Sequence, residues 1–123
     1  MKVLLVEDDP LLGELFAFSL RDAHFDVIHV TTGEDALLQC ANTPINIVLL
    51  DIILPGINGF DVLTKMKSND KTKNIPIIVI SNLGDQANID HAIELGAVHY
   101  FVKSNVLPRD IIAKVNEVLD VKA

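Results

Sequence analysis

The stretch Ile45-Asn46-Ile47-Val48-Leu49-Leu50-Asp51-Ile52-Ile53-Leu54-Pro55-Gly56 runs from a buried strand into a turn. A short apolar run, Ile45 to Leu50, stops at a carboxylate, and Pro-Gly follows. A carboxylate in that position stands at the edge of a sheet and faces water. Outward from it, three other apolar runs end in the same way. Val6 is followed by Glu7-Asp8-Asp9, Ile80 by Ser81 and Val102 by Lys103. In a parallel sheet the carboxyl ends of the strands meet in one crevice. Acids, a hydroxyl and an amine are therefore predicted to converge, which is the equipment for holding a divalent cation and a phosphoryl group.

Five apolar runs alternate with five helical patterns. Strands are predicted at about 2–6, 26–30, 46–50, 76–80 and 98–102. Four of them are continuous apolar runs, as parallel strands buried on both faces require. The second, Asp26-Val27-Ile28-His29-Val30, is more polar and suits a sheet edge. Asp9-Pro10 starts the first helix, with Asp as N-cap and Pro at the first helical position, and Leu11, Leu12, Leu15, Phe16 and Leu20 make its apolar stripe. Thr32-Gly33-Glu34-Asp35 resembles a capping box for a second helix over about 33–41. Asn58 caps a third over about 59–68, with Phe60, Leu63 and Met66 inward. A fourth, about 85–95, is expected to bury Ile89, Ala92 and Ile93 and to stop at Gly96. Pro108 opens the fifth, where Ile111, Ile112, Val115, Val118 and Leu119 fall at helical spacing.

Strict β-α alternation with short connections predicts a parallel sheet covered by helices on both faces. The expected strand order is 2-1-3-4-5. Its switch point lies between the first and third strands, beside Asp8 and Asp51. With 123 residues the chain has the size of one domain and buries roughly two-thirds of its unfolded surface without staples. A formal net charge of −7 disfavours direct nucleic-acid binding. Cys40, the single cysteine, excludes an intrachain disulfide and a Cys-based metal cluster. The opening Met1-Lys2 and Val3 to Val6 is too short an apolar stretch for a signal peptide before acids arrive. No apolar run approaches the roughly 20 residues of a membrane span. The expectation is a cytoplasmic protein.

Four segments carry a family resemblance: Val3-Leu4-Leu5-Val6-Glu7-Asp8-Asp9, then Asp51 through Phe60, then Pro76-Ile77-Ile78-Val79-Ile80-Ser81, then Gly96 through Lys103. Together they resemble the receiver domain of bacterial two-component response regulators, of the stand-alone, chemotaxis-regulator-like kind. The resemblance covers nearly the whole chain, so residues 1–123 are expected to form one receiver domain with the flavodoxin-like, doubly wound (βα)5 fold. The chain ends as the fifth helix ends, and no output domain is expected after it.

The resemblance implies that a sensor histidine kinase or phosphotransfer protein passes a phosphoryl group to Asp51, with Mg²⁺ required and Mn²⁺ an alternative. It implies that Asp8 binds the cation directly, Glu7 mainly through water, and Asp51 and the Ile53 backbone carbonyl supply further oxygens. Lys103 and Ser81 would receive phosphoryl oxygens, and Tyr100 stands where the family often carries a switch aromatic. The face made by the fourth helix, fifth strand and fifth helix would then meet a downstream partner or a second copy. Such a domain catalyses only its own phosphorylation and dephosphorylation. Asp9 is assigned to helix capping, because Pro10 follows it. Acids at a helix N-terminus are also what the helix dipole favours. Their conjunction with Asp51, Ser81 and Lys103 singles Glu7 and Asp8 out.

Two residues depart from the family pattern. Ser104 follows Lys103 where proline, often in a cis peptide, is usual, and Asn82 follows Ser81 where a small residue is usual. His24, His29, His91 and His99 have no metal-ligand spacing. Cys40 reads as a small buried hydrophobe. Other readings fit less well. A phosphatase resembling haloacid dehalogenases wants an acid two residues past its nucleophile, where Ile53 stands. A flavin-binding flavodoxin wants a Ser-, Thr- and Gly-rich phosphate loop, where Glu7-Asp8-Asp9 would repel phosphate. A degenerate receiver that only binds partners would not need Asp8, Asp51 and Lys103 together.

Overall fold

The computed structural model describes residues 1–120; the expected domain's last three positions, 121–123, lie outside the described residues. The chain alternates β1 (Lys2–Val6), α1 (Pro10–Asp22), β2 (Asp26–Val30), α2 (Gly33–Asn42), β3 (Ile47–Leu50), α3 (Gly59–Lys67), β4 (Ile77–Ser81), α4 (Gln86–Glu94), β5 (His99–Val102) and α5 (Pro108–Leu119). All neighbouring strands pair in parallel, in the order β2-β1-β3-β4-β5. The anticipated order and class therefore hold, and strand limits differ by a residue or so. One difference matters: β4 runs through Ser81, which pairs with Val102, so the hydroxyl is inside the strand rather than after it.

Alternate residues of the central strands feed two cores. Leu4, Val6, Val48, Leu50, Ile77 and Val79 pack toward Ala36, Val62, Leu63, Met66 and Ala92 of α2, α3 and α4. Val3, Leu5, Ile47, Leu49, Ile78 and Ile80 pack toward Phe16, Ala17, Leu20, Ile111 and Val115 of α1 and α5. Each such Leu or Ile contributes about 1.5–3 kcal/mol relative to exposure. The edge strand β2 is only half-buried, as its composition suggested.

Caps stand where the sequence put them. Asp9 Oδ1 accepts the Leu11 and Leu12 amides at 3.0 and 3.1 Å, Thr32 Oγ1 accepts from Asp35, and Asn58 Oδ1 accepts from Asp61. Gly96 has φ +112°, just past the end of α4. The peptide after Lys103 needs no cis bond: Lys103–Asn105 forms a 3-10 turn, and no described peptide is cis.

Two helix faces differ from expectation. In α1 the sheet-facing positions are Gly13, Phe16, Ala17 and Leu20, whereas Leu11 is 80% and Leu15 49% exposed. The helix carries two apolar stripes, and spacing alone does not say which one a close-packed sheet accepts. In α4 only Ala92 is fully buried, Ile89 is half-buried and Ile93 is exposed, because the helix seats through its small residue.

Gly59, at the start of α3, has a site-related reason to lack a side chain. A β-carbon there would press on the Asp51 carbonyl oxygen and lie 2.6 Å from Ile52 Cα, and backbone cannot yield as a flexible side chain does. Gly59→Ala is expected to destabilise the domain by about 1–3 kcal/mol in equilibrium urea unfolding. Gly84→Ala, where the nearest atom is Val102 Cγ1 at 3.3 Å, is expected to stay within about 0.5 kcal/mol.

Candidate functional site

Strand register brings the polar residues together. Val6 pairs with Leu50, so Glu7 and Asp51 leave the sheet as neighbours. The Asp51 amide still donates to the Val6 carbonyl at 3.1 Å and the Glu7 amide to the Val30 carbonyl at 3.0 Å. Lys103 directly follows Val102 of β5, two strands away from β3. Its long stem reaches past β4. The ammonium stands 2.7 Å from Asp51 Oδ2 and 2.6 Å from Glu7 Oε1.

The remaining carboxylate oxygens are distinct. Asp51 Oδ1 accepts the Ile53 amide at 3.2 Å, and Glu7 Oε2 accepts the Asp9 amide at 3.1 Å. Asp8 is exposed, and its carboxylate takes no hydrogen bond from any described residue. Glu7, Asp8, Asp9, Asp51, Ile53, Asn82 and Lys103 line an open pocket of about 250 Å³. A larger hollow of about 490 Å³, beside Lys2, Arg21 and Asp26, contains none of these groups.

Burial and charge compete in this pocket. Burial lifts the Glu7 carboxyl above its ordinary range, against the pull of Lys103 and the Asp9 amide. Burial also works against the Lys103 ammonium, but its contacts with Asp51 and Glu7 outweigh that and hold its pKa above the ordinary value. Two carboxylates flank the one ammonium. Oxygens of Glu7, Asp8 and Asp51 lie within 4.8 Å of one another. Three hard oxygen donors suit a small divalent cation such as Mg²⁺, which keeps several waters and needs few protein ligands. Three carboxylates against one ammonium leave a net charge that such a cation would neutralise.

Of the residues singled out in the sequence, Glu7, Asp8, Asp51, Ile53 and Lys103 share this pocket. Ser81 does not line it: its side chain is fully buried and its Oγ accepts the Leu83 amide at 3.2 Å. Asn82, exposed, occupies that wall instead. Tyr100 is half-buried on β5, and its hydroxyl donates to the Leu83 carbonyl at 2.5 Å. The backbone of one residue thus carries both contacts. Burial raises the Tyr100 phenol above its usual pKa.

Two features had no sequence signal. The Glu7–Lys103 pair joins the ends of strands that do not touch. His29 of β2, read as structural, donates from Nε2 to the Glu7 carbonyl at 2.8 Å. A β-carbon on Gly13 of α1 would lie 2.6 Å from the same His29 Nε2, so the ring occupies the space that the glycine leaves.

Residues 3–116 match the sequence model of the response regulator receiver domain. The chain belongs to that family. The DNA-binding response regulator MtrA of Mycolicibacterium smegmatis is 32% identical over 93% of this chain and 48% of its own length. The BeF3-activated N-terminal receiver domain of Klebsiella pneumoniae RstA superposes with a TM-score of 0.89, at 30% identity, over 97% of this chain and 98% of that one. The Mn(2+)-bound form of the response regulator Rcp1 superposes with a TM-score of 0.85, at 27% identity, over 99% and 96%. The chain spans about half the length of the curated relatives it matches.

Asp8 is the acid with both oxygens open to a cation, so its charge should matter most for affinity. Asp8→Asn is expected to weaken Mg²⁺ binding by about tenfold or more in calorimetric titration of chelator-stripped protein. Unchanged affinity would assign the cation to other acids.

Proposed function

We propose that this receiver domain is a phosphorylation-activated switch in which Asp51 accepts a phosphoryl group from a sensor histidine kinase or phosphotransfer protein. The observation that carries the reading is the Lys103 ammonium 2.7 Å from Asp51 Oδ2 in a pocket that Asp8 also opens onto. An oxygen of Asp51 attacks phosphorus, the phosphorus–nitrogen bond of the donor phosphohistidine breaks, and the imidazole leaves with the electron pair. Asp8, Asp51 and the Ile53 carbonyl would hold Mg²⁺ or Mn²⁺, with Glu7 acting through water. Held there, such a cation would supply the positive charge that lets the Asp51 carboxylate and an incoming phosphoryl group approach. That Rcp1 is known in a Mn²⁺-bound form supports a divalent cation in a receiver of this fold. Lys103 offers a point charge to a phosphoryl oxygen.

The switch runs through the backbone of Leu83. A phosphoryl group on Asp51 would draw the Ser81 hydroxyl toward it and away from the Leu83 amide. Tyr100 grips the carbonyl of that same residue, so a shift at Ser81 reaches β5. The face of α4, β5 and α5 would then change and meet a downstream protein or a second copy, with coupling of about 1–3 kcal/mol. Ile93 of α4 and Val98, just before β5, are exposed apolar residues. The domain would catalyse its own phosphorylation and dephosphorylation alone. No described helix is long and apolar enough to cross a membrane. With the net charge of −7 and the lone cysteine, this supports a cytoplasmic protein that reaches nucleic acid, if at all, through its partners.

Incubation with acetyl phosphate and Mg²⁺ is expected to add one phosphoryl mass to the protein and none to Asp51→Asn. Equal labelling of the variant would end the proposal. The phosphorylated state is expected to last many minutes. Ile53, 55% exposed in the pocket wall, cannot orient a water for hydrolysis. Leu83, two residues beyond Ser81, packs against the core shared by α2, α3 and α4, and Ile53 and Asn82 line the pocket. Decay followed by mass spectrometry should be faster in Ile53→Asn, and a wild-type half-life of seconds would contradict the mechanism.

A further inference from the structure

The ladder between β1 and β2 ends at the Glu7 amide, which donates to the Val30 carbonyl at 3.0 Å. β2 stops at Val30, and the chain turns into α2 with Thr32 as its cap. The Glu7 carbonyl is the first backbone group past that ladder, and a side chain takes it: His29 Nε2 stands 2.8 Å away. A carbonyl only accepts, so Nε2 carries the hydrogen. The ring itself does not line the acidic pocket. Gly13 of α1 makes its place possible. A β-carbon there would press on His29 Cε1 and lie 2.6 Å from Nε2, and a planar ring cannot give way without leaving the carbonyl.

The carbonyl that His29 holds belongs to the Glu7–Asp8 peptide. Rotating that peptide would swing the bond that aims the Asp8 side chain. The following peptide is held as well, since the Asp9 amide donates to Glu7 Oε2 at 3.1 Å. Asp8 itself is exposed, so its direction is set by the two peptides that flank it. One of them is fixed within the pocket by Glu7. The other is fixed from outside the pocket by His29.

We infer that His29 is the positioning residue of Asp8: through the Glu7–Asp8 peptide it aims the exposed carboxylate at the cation, so its loss weakens cation binding although it never enters the pocket. The inference rests on the reading of Asp8 as a cation ligand and deepens it. Groups standing one step behind a metal ligand typically change affinity tenfold or more when removed, because they fix the ligand's direction. Here that group comes from the edge strand, and it acts on backbone.

Wild type, His29→Leu, His29→Gln, Asp8→Asn and the His29→Leu/Asp8→Asn double variant test this, each stripped with chelator and titrated with Mg²⁺ in a calorimeter. His29→Leu keeps apolar bulk without a donor and is expected to weaken Mg²⁺ binding about tenfold. His29→Gln offers an amide N–H to the same carbonyl and should recover most of that affinity. On the Asp8→Asn background, His29→Leu should cost less than about twofold, because the carboxylate it aims is gone. Wild-type affinity in His29→Leu would overturn the inference. Equal losses in His29→Leu and His29→Gln would do the same, since that is what a packing role alone produces, and so would an undiminished cost beside Asp8→Asn. A nitrogen-15 spectrum of the wild-type protein covers the case in which a variant fails to fold. In the neutral imidazole of His29 the protonated nitrogen should be Nε2, and a bare Nε2 would also overturn the inference. If Asp8→Asn binds Mg²⁺ like wild type, the reading of Asp8 as a ligand fails and takes the inference with it. If Asp8→Asn loses affinity and His29→Leu does not, the inference fails alone.

Discussion

A single ammonium group makes the carboxyl edge of this sheet tenable. The parallel register delivers Glu7 and Asp51 side by side at the ends of adjacent central strands, with Asp8 next to them. Burial penalises each charge, and neighbouring carboxylates repel. Lys103 relieves both at once, touching Glu7 and Asp51 from a strand that pairs with neither β1 nor β3. Everything else at that edge is arranged around this contact: the Asp9 cap that orients α1, the Ile53 amide on Asp51, and the 3-10 turn that carries the chain away after the lysine.

The sheet was legible because its physics is written in single residues. A strand stretch buried on both faces must be apolar, and Val3 to Val6 of β1, all of β3 and Ile77 to Ile80 of β4 are. Asp9, Thr32 and Asn58 cap because each stands one residue before a helix, with a short side chain that reaches back to amides. Asp51, Asp8 and Lys103 were found because a charge at the end of a buried run has one place to go. Legibility failed where two elements had to choose between equivalent faces. Helix α1 has two apolar stripes, and only the shape of the sheet selects the one through Gly13 and Ala17. Ser81 shows the same limit at the scale of one residue. Whether a strand ends before or after it depends on pairing with Val102, and that pairing decides whether the hydroxyl meets the pocket or the Leu83 amide.

The backbone of Leu83 lies between two side chains of different reach. Ser81 holds its N–H from within β4, and Tyr100 holds its C=O from β5. The Ser81 hydroxyl of β4 and the half-buried phenol of β5 thus grip the two backbone polar groups of one residue. Membership of the receiver family gives that shared residue its interest, since a family of switches needs a short mechanical link between its chemistry and its surface.

The missing side chain at Gly13 has a consequence for the loop above it. His29 fills the gap between α1 and the edge strand while its Nε2 holds the Glu7 carbonyl. Helix α1 can therefore settle onto the sheet only as deeply as that imidazole allows. The ring acts as a spacer of fixed thickness, and the height of the helix N-terminus above the sheet is its thickness passed along the chain. Since Asp8 and Asp9 ride on that N-terminus, the aim of the acidic loop is tuned from below, by an edge-strand residue that never enters the pocket.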